Sequence, residues 1–393
     1  MATKDILKHL NAQVVYKGFD TLDVAFKGCF PQNVLEKLEN AKLKAQNNNE
    51  SCLVKINGIA IKVNLSGAKE GYKYIFDSGF DGETWFVKHS VDPEQWNIRV
   101  SIKSATLAEH GFNGAKDRLY KRFEKFGATI LEESIGRIDF AVDIKAPDFI
   151  LNPEGFVYHS RTTVNLRGEA EEVEDALFNF SMSGRKFSGV TIGKNPNKQV
   201  TIYDKRKEVI AEKKHYWWDY WGLDKDNKEN RVWRIELRAY KRHLKETWDI
   251  RTWQDLEHKI GDVYLDMIQA TRMVIPDSAT RIENAKLHPF WAAMNEIVKD
   301  VFAENINGCC KGRVVQVERE KLKDCFRDQM AGLAVGYAYL NNISIKNIDV
   351  VINRVRHDLE RFFRTGKEKI VEKYDRAMNR YYFTDERYMP CLA

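Results

Sequence analysis

Through the first two thirds of this chain, hydrophobic residues recur at every second position, a period that fits extended strands whose two faces meet different surroundings. From Cys52 to Lys103 the runs LVKINGIAIKVNL, YKYIFD, ETWFVKH and NIRVSIK are alternating and β-branched. Turn sequences separate them, SGFDG at Ser78–Gly82 and DPEQ at Asp92–Gln95, and the pattern predicts an antiparallel meander. Downstream, GAKDRLYKRFEKF (about Gly114 to Phe126) spaces Leu119, Tyr120, Phe123 and Phe126 as one helical face, which predicts a helix packed on the sheet. Three more strands follow: SIGRIDFAVDI (Ser134–Ile144), NKQVTIYDK (Asn197–Lys205) and NRVWRIELRAY (Asn230–Tyr240). After Trp248 the period changes to that of helices, expected at Trp253–Met273, Pro289–Ala303, Val315–Tyr339 and Ile348–Tyr381. The expected class is α+β: an antiparallel-sheet catalytic core with flanking helices over residues 1–248, followed by a mainly α-helical C-terminal region over 249–393.

Length and composition limit what such a chain can be. At 393 residues, 43% hydrophobic and 31% charged, it can bury a sizeable core and accommodates two domains. The net charge of +6, from 63 basic and 57 acidic side chains, suits contact with a polyanion without requiring one. Its 6 cysteines form no CxxC pair or Cys/His ligand spacing, which argues against a zinc ribbon and against a disulfide framework. The start, MATKDILKHL, is too charged for a secretory signal, and no apolar stretch approaches the ~20 residues that cross a bilayer. The expectation is a cytoplasmic protein with no membrane partner. No internal repeat is visible.

The three later strands each carry one polar face. In RIDFAVDI, Ile138, Phe140, Val142 and Ile144 point one way, and Asp139, Ala141 and Asp143 the other. Aspartate is disfavoured inside strands, so two on one face suggest a use for the charge. In RVWRIELRAY the polar side carries Arg234, Glu236, Arg238 and Tyr240; in QVTIYDK it carries Thr201, Tyr203 and Lys205. If the three strands share a sheet, Asp139, Asp143 and Glu236 converge with Tyr203, Lys205 and Arg238. Carboxylate oxygens hold Mg2+ or Mn2+, a tyrosine can be a covalent nucleophile, and nearby cations bind phosphate and stabilise a phenolate. That combination suits cleavage of a phosphodiester. The competing reading is a solvated sheet face whose cross-strand charge pairs contribute only ~0.2–1 kcal/mol each.

The segments GRIDFAVDI, VTIGKNPNKQVTIYDKRKE and RVWRIELRAYKRHL, in this order and spacing, resemble the Rep_trans replication initiation factor family, and IRVSIKSATLAEHGF followed by a helix fits the same order. Members are rolling-circle initiators of plasmids and filamentous phages, and related relaxases of conjugative elements. The resemblance spans roughly Asn97 to Leu244; no motif covers the first ~50 residues or those after Trp248. It implies a DNA nickase that cuts one strand at an origin, keeps the 5′ phosphate on a tyrosine and leaves a 3′ hydroxyl for a polymerase. On the matching positions, Asp139 and Glu236 are implied as metal ligands with Asp143 as companion, and Tyr203 as nucleophile ahead of Tyr240, Tyr216 and Tyr220. Lys205 and Arg238 match basic positions of the pattern. Two alternatives stay open: a relaxase acting at a transfer origin, and a non-cleaving origin-binding protein of the same fold. No histidine lies in a His-hydrophobe-His triplet, so the histidine metal site of HUH nucleases is absent.

Expected DNA contacts lie outside the chemistry. KRKEVIAEKKHYWWDYWG (Lys205–Gly222) interleaves cations such as Lys207 with Trp217, Trp218 and Trp221, a composition suited to stacking single-stranded bases and equally to a helix or loop whose aromatics pack on the sheet. Arg234 is expected to add a phosphate contact. In the last helix, cations including Arg361 and Arg364 outnumber acids and could grip duplex phosphates, or the helices could form a homodimer interface. Origin DNA is the implied partner, with a host helicase and polymerase downstream of the nick.

Overall fold

The computed structural model describes residues 3–79, 82–168, 187–277, 281–303, 313–344 and 346–380. A short helix α1 (Thr3–Lys8) precedes the long strand β1 (Gln13–Cys29) and helix α2 (Gln32–Asn48). Next come β2 (Cys52–Ile56), β3 (Ile59–Val63), β4 (Tyr74–Asp77), β5 (Glu83–Val87) and β6 (Trp96–Ile102), then α3 (Ser104–Phe126). A second set follows: β7 (Thr129–Lys145), β8 (Phe156–Val157), β9 (Val164–Gly168), β10 (Phe187–Gly193) and β11 (Lys198–Asp204). Helices α4 (Lys205–Ala211) and α5 (Tyr216–Trp221) lead to β12 (Val232–Tyr240). Then come α6 (Trp253–Ala270), β13 (Arg272–Met273), α7 (Pro289–Ala303), α8 (Arg313–Leu340), α9 (Ile348–Thr365) and α10 (Lys367–Arg380).

Eleven strands form one antiparallel sheet in the order β2-β3-β4-β5-β6-β1-β7-β12-β11-β10-β9, and β8 pairs with β13 apart from it. The class is α+β, as the alternation predicts. β1 and β7 lie side by side at the centre, flanked outward by β6, β5 and β4 on one side and by β12, β11 and β10 on the other. Connectivity thus repeats about the central pair although the sequence carries no repeat, because topology constrains only where polar and apolar residues fall. Along β1 and β7 the register shifts four times, including between Phe19 and Thr21. Such bulges bend and twist long strands and re-aim single side chains.

One sheet face is covered by α3, α6 and α7, whose apolar residues join those of the strands in one cluster reaching from Leu7 to Val301. Phe140 of β7 lies 5.6 Å from the rings of both Tyr264 (α6) and Phe302 (α7). The Trp291 indole N–H, buried, donates to the Ile268 carbonyl at 3.0 Å and ties α7 to α6. Residues 253–301 pack into the sheet's own core, whereas no described residue of α8–α10 joins that cluster. The helix expected from Gly114 begins at Ser104, with a kink at Gly111 (φ 67°), a left-handed conformation that glycine adopts without strain. The last expected helix divides at Gly366 into α9 and α10, and Tyr381 falls outside the described residues. No helix among the described residues is long and apolar enough to cross a membrane.

Candidate functional site

Antiparallel pairing arranges the polar face into rows across β1, β7, β12 and β11. Asp139 faces Arg238 on β12, and Arg238 faces Gln199 on β11. The next row runs Gly18, Ala141, Glu236, Thr201, and the third runs Tyr16, Asp143, Arg234, Tyr203. The strands thus bring Asp139, Asp143, Glu236, Arg234, Arg238 and Tyr203 onto one face, as strand alternation requires. The middle row carries the small residues Gly18 and Ala141, and the Tyr16 ring folds over Gly18, its hydroxyl 2.5 Å from where a Cβ would stand. The face is not solvated: Asp139 and Asp143 are 0% exposed, Glu236 2% and Tyr203 6%. A solvent-facing sheet of surface charge pairs is thereby excluded.

Each carboxylate is engaged by a guanidinium. Arg137 Nε donates to both oxygens of Asp139, at 3.0 and 2.9 Å, and Arg238 donates from Nε and Nη2 to Glu236 at 3.0 and 2.9 Å. Asp143 accepts from Arg234 Nε and Nη2 at 2.6 and 2.7 Å, and its Oδ2 also accepts from the Trp221 indole at 2.8 Å. Arg234 reaches further to Asp20 at 2.5 Å. Sequence reasoning missed Asp20; it sits at the β1 bulge, where alternation does not report which way a side chain points. Glu208 was missed as well. One turn into α4, it accepts from Lys205 at 2.5 Å.

Lys205 is positioned by a local device. Asp204 caps α4 by accepting from the Lys207 N–H at 3.2 Å, so the chain turns from strand to helix directly after Tyr203. That turn folds Lys205 back over the phenol, with Nζ 3.3 Å from the Tyr203 hydroxyl. Burial, reinforced by Glu236, pushes the Tyr203 phenol well above its ordinary range, so it stays protonated here. Burial and Arg234 lower the proton affinity of Lys205. Asp139 is pushed well up, first by burial and then by the neighbouring Glu236 carboxylate. Burial opposes ionisation of Glu236 too, but Arg238 beside it prevails and holds it down to about 2.

The remaining expected residues divide. Trp217, Trp218 and Trp221 are at most 5% exposed and so are packed against the protein, not presented to bases, while α5 is in place. They form a second apolar cluster with Tyr16, Ala105, Ala108 and Val232. Trp217 lies under the Arg234 guanidinium, 4.3 Å from its carbon. Arg234, expected on DNA, is fully buried and committed to Asp143 and Asp20 for the same reason: α4 and α5 cover this end of the face. Lys207 is exposed on α4, and Arg361 and Arg364 are exposed on α9. Among the fallback tyrosines, Tyr216 and Tyr240 are buried, Tyr240 donating to Gln199 at 2.6 Å.

Among the described residues no three carboxylate, imidazole or thiol groups converge as a ready-made metal site. Asp143, expected as a ligand, has both oxygens taken by buried donors and does not fit that role. Asp139 and Glu236 fit better: two enclosed carboxylates repel each other, and their arginines, with side chains 25% and 21% exposed, lie on the open side.

Fold and site define an α+β protein whose antiparallel sheet carries a buried carboxylate–guanidinium lattice under a short helical cover. No family model matches the chain, and no curated protein does. Among solved structures it is similar to the rolling circle replication initiator protein from Geobacillus stearothermophilus, at 14% identity, covering 75% of this chain and 99% of that chain with a TM-score of 0.36.

Proposed function

We propose that the chain is a metal-dependent tyrosine endonuclease that nicks one DNA strand at an origin and so initiates rolling-circle replication. The observation that carries this reading is the Lys205 ammonium 3.3 Å from the Tyr203 hydroxyl, one row from the buried carboxylate of Glu236. The motif resemblance of the same strands supports it. Attack by the Tyr203 oxygen on a backbone phosphorus forms a phosphotyrosine ester to the 5′ side and breaks the bond to the 3′ oxygen. The phenolic proton passes to solvent, and the 3′ oxygen takes one up to become the primer hydroxyl. Lys205 stabilises the phenolate, and Arg238 meets charge on the phosphate. Asp139 and Glu236 are the residues that would hold Mg2+ or Mn2+, which when bound supplies charge neutralisation at the phosphoryl oxygens. The reaction requires Tyr203 to be uncovered by displacement of α5, while α4 keeps Lys205 beside the phenol.

The test is incubation of the protein with supercoiled origin DNA and Mg2+ or Mn2+, followed by detection of protein covalently attached to a 5′ end. Tyr203→Phe loses the adduct, and Asp139→Asn or Glu236→Gln loses nicking while DNA binding persists. An adduct that survives Tyr203→Phe overturns the assignment. The complete pairing of carboxylates with guanidiniums favours a second reading, a non-cleaving origin-binding protein. Normal affinity for the origin with no nicking by the wild type selects it.

A further inference from the structure

On the opposite face of the sheet, where the β10–β11 turn meets the C-terminal end of α6, lies a cavity of about 350 Å3 lined by Arg161, Lys194, Lys198 and Arg242. Its floor is apolar, formed by Ile192, Val200 and Met267. The turn that builds it is held from both sides. Gly193 has φ +95°, and a Cβ there would lie 2.1 Å from the Lys198 carbonyl oxygen, so the position accepts only glycine. Its N–H donates to the Thr163 carbonyl at 2.8 Å, fixing the loop that carries Arg161. On the other side the carbonyls of Pro196 and Asn197 accept from the N–H groups of Arg242 and Tyr240, at 3.1 and 2.9 Å. The four cations are thus presented by backbone that is already ordered, which lowers the entropy lost on binding.

The charge balance is uneven. Lys198 pairs with Asp266 at 2.6 Å and Arg242 with Glu246 at 2.9 Å, while Arg161 and Lys194, both exposed, make no ion pair among the described residues. Asn197, Thr162 and Thr163 add neutral hydrogen-bonding groups at the rim. Such a set binds an anion with several oxygens. No Phe, Tyr or Trp lines the cavity and His159 is its one aromatic ring, against four cations, so a backbone phosphate fits it better than a nucleotide does. Lys198 is paired with Ala239, one residue from Arg238. The cavity and the Asp139–Glu236 carboxylates therefore occupy opposite faces at the same end of β12.

We propose that this cleft is a second nucleic-acid contact that holds a backbone phosphate of the DNA strand outside the reacting segment. The identity of the strand rests on the nickase reading; the phosphate chemistry does not. The experiment titrates the full chain into a labelled single-stranded oligonucleotide, following anisotropy over a range of salt concentrations, for wild type and Arg161→Gln/Lys194→Gln. Losing the held phosphate makes the slope of log affinity against log salt shallower by about 0.7, the value per phosphate contact on a single strand. Arg161→Lys/Lys194→Arg keeps both charges and restores the slope. Matching thermal melts by circular dichroism show that the variants are folded. An unchanged slope in the glutamine variant overturns the proposal. So does ATP that binds the wild type and is lost with the two cations while the oligonucleotide slope stays put, because the cleft is then a nucleotide site. Covalent adduct formation on supercoiled origin DNA reports on the nickase reading separately, so either inference can fail alone.

Discussion

Replacing Arg234 with methionine keeps most of the side chain's volume and removes its charge. Arg234 is 0% exposed and donates to Asp143 at 2.6 and 2.7 Å and to Asp20 at 2.5 Å. Without it, Asp143, itself 0% exposed, keeps only the Trp221 indole at 2.8 Å. Removing one partner of a buried ion pair costs ~3–5 kcal/mol, because the other charge is left enclosed. That is a large fraction of the ~5–15 kcal/mol by which folded domains are stable. Asp143→Leu alone is costly for the mirror reason, leaving the guanidinium with Asp20 as its only carboxylate. Combining Arg234→Met with Asp143→Leu removes both charges and leaves Asp20, nearer solvent, to be hydrated. The double variant should lose roughly 2–3 kcal/mol less than the sum of the single losses, a coupling expected only of groups in contact. Urea unfolding of wild type, both single variants and the double variant, followed by circular dichroism, measures it. A loss below about 1 kcal/mol for Arg234→Met, or additive single effects, refutes the reasoning. A surface arginine reserved for DNA would give that second pattern, with unchanged stability and weakened binding.

Two further outcomes follow from the fold. His243 accepts from the Trp248 indole at 3.2 Å and His288 from the Phe290 N–H at 3.1 Å, so both are neutral, and burial lowers each from 6.5 to about 4. Their contribution is full above pH 6.5, falls as pH drops because the unfolded chain takes up the proton first, and levels off below about 4. Each accounts for at most ~3 kcal/mol, and His288→Asn should flatten that part of a stability–pH profile by its share. Fragment 1–248 should show no cooperative thermal transition, since it lacks Tyr264, Trp291 and the rest of the helical cover of Phe140. A sharp melt from that fragment by calorimetry would mean that residues 1–248 fold as a unit of their own.

The rows of the site were legible in the sequence because strand alternation is local: Asp139, Glu236 and Tyr203 fall on one face whatever the rest of the chain does. Their surroundings were not. Asp20 comes from a strand with no motif, at a bulge that cancels the period-two rule just where it is needed. Trp217 and Trp221 have a composition suited to single-stranded DNA, yet six residues of helix between two Gly- or Lys-rich turns can also fold back onto a charged face. Only tertiary contact distinguishes the two, here the indole of Trp221 on Asp143. The helical period after Trp248 was legible as helix, but not the packing of residues 253–301 into the sheet's core. Periodicity reports which face is buried, and is silent about whose core buries it.

The lattice is graded from open to closed along β12, which bears on how such a face could act. Arg238 is 21% exposed at one end, and Arg234, four residues away or about 14 Å at ~3.4 Å per residue, is 0% exposed at the other. Asp139 lies in the open row, Tyr203 in the closed one, and Glu236 between, about 7 Å from each. On the nickase reading, a phosphate admitted at Arg238 comes within reach of the phenol only when the cover of α5 lifts, α4 staying in place with Lys205. Lifting it gives up the indole bond to Asp143, ~1.5–3 kcal/mol for a bond to a charged group, and the Trp217–Arg234 contact, ~2 kcal/mol when desolvated. A gap of that size leaves the uncovered state at roughly one molecule in 10^3 without DNA, before any loss of apolar burial is added. Phosphate contacts made only in the uncovered state would then shift the balance, and the cover, rather than the charge beneath it, would limit when Tyr203 is available. Trp221→Phe, which removes one bond and little area, should therefore raise the rate of adduct formation; an unchanged rate would mean that the cover does not limit the reaction.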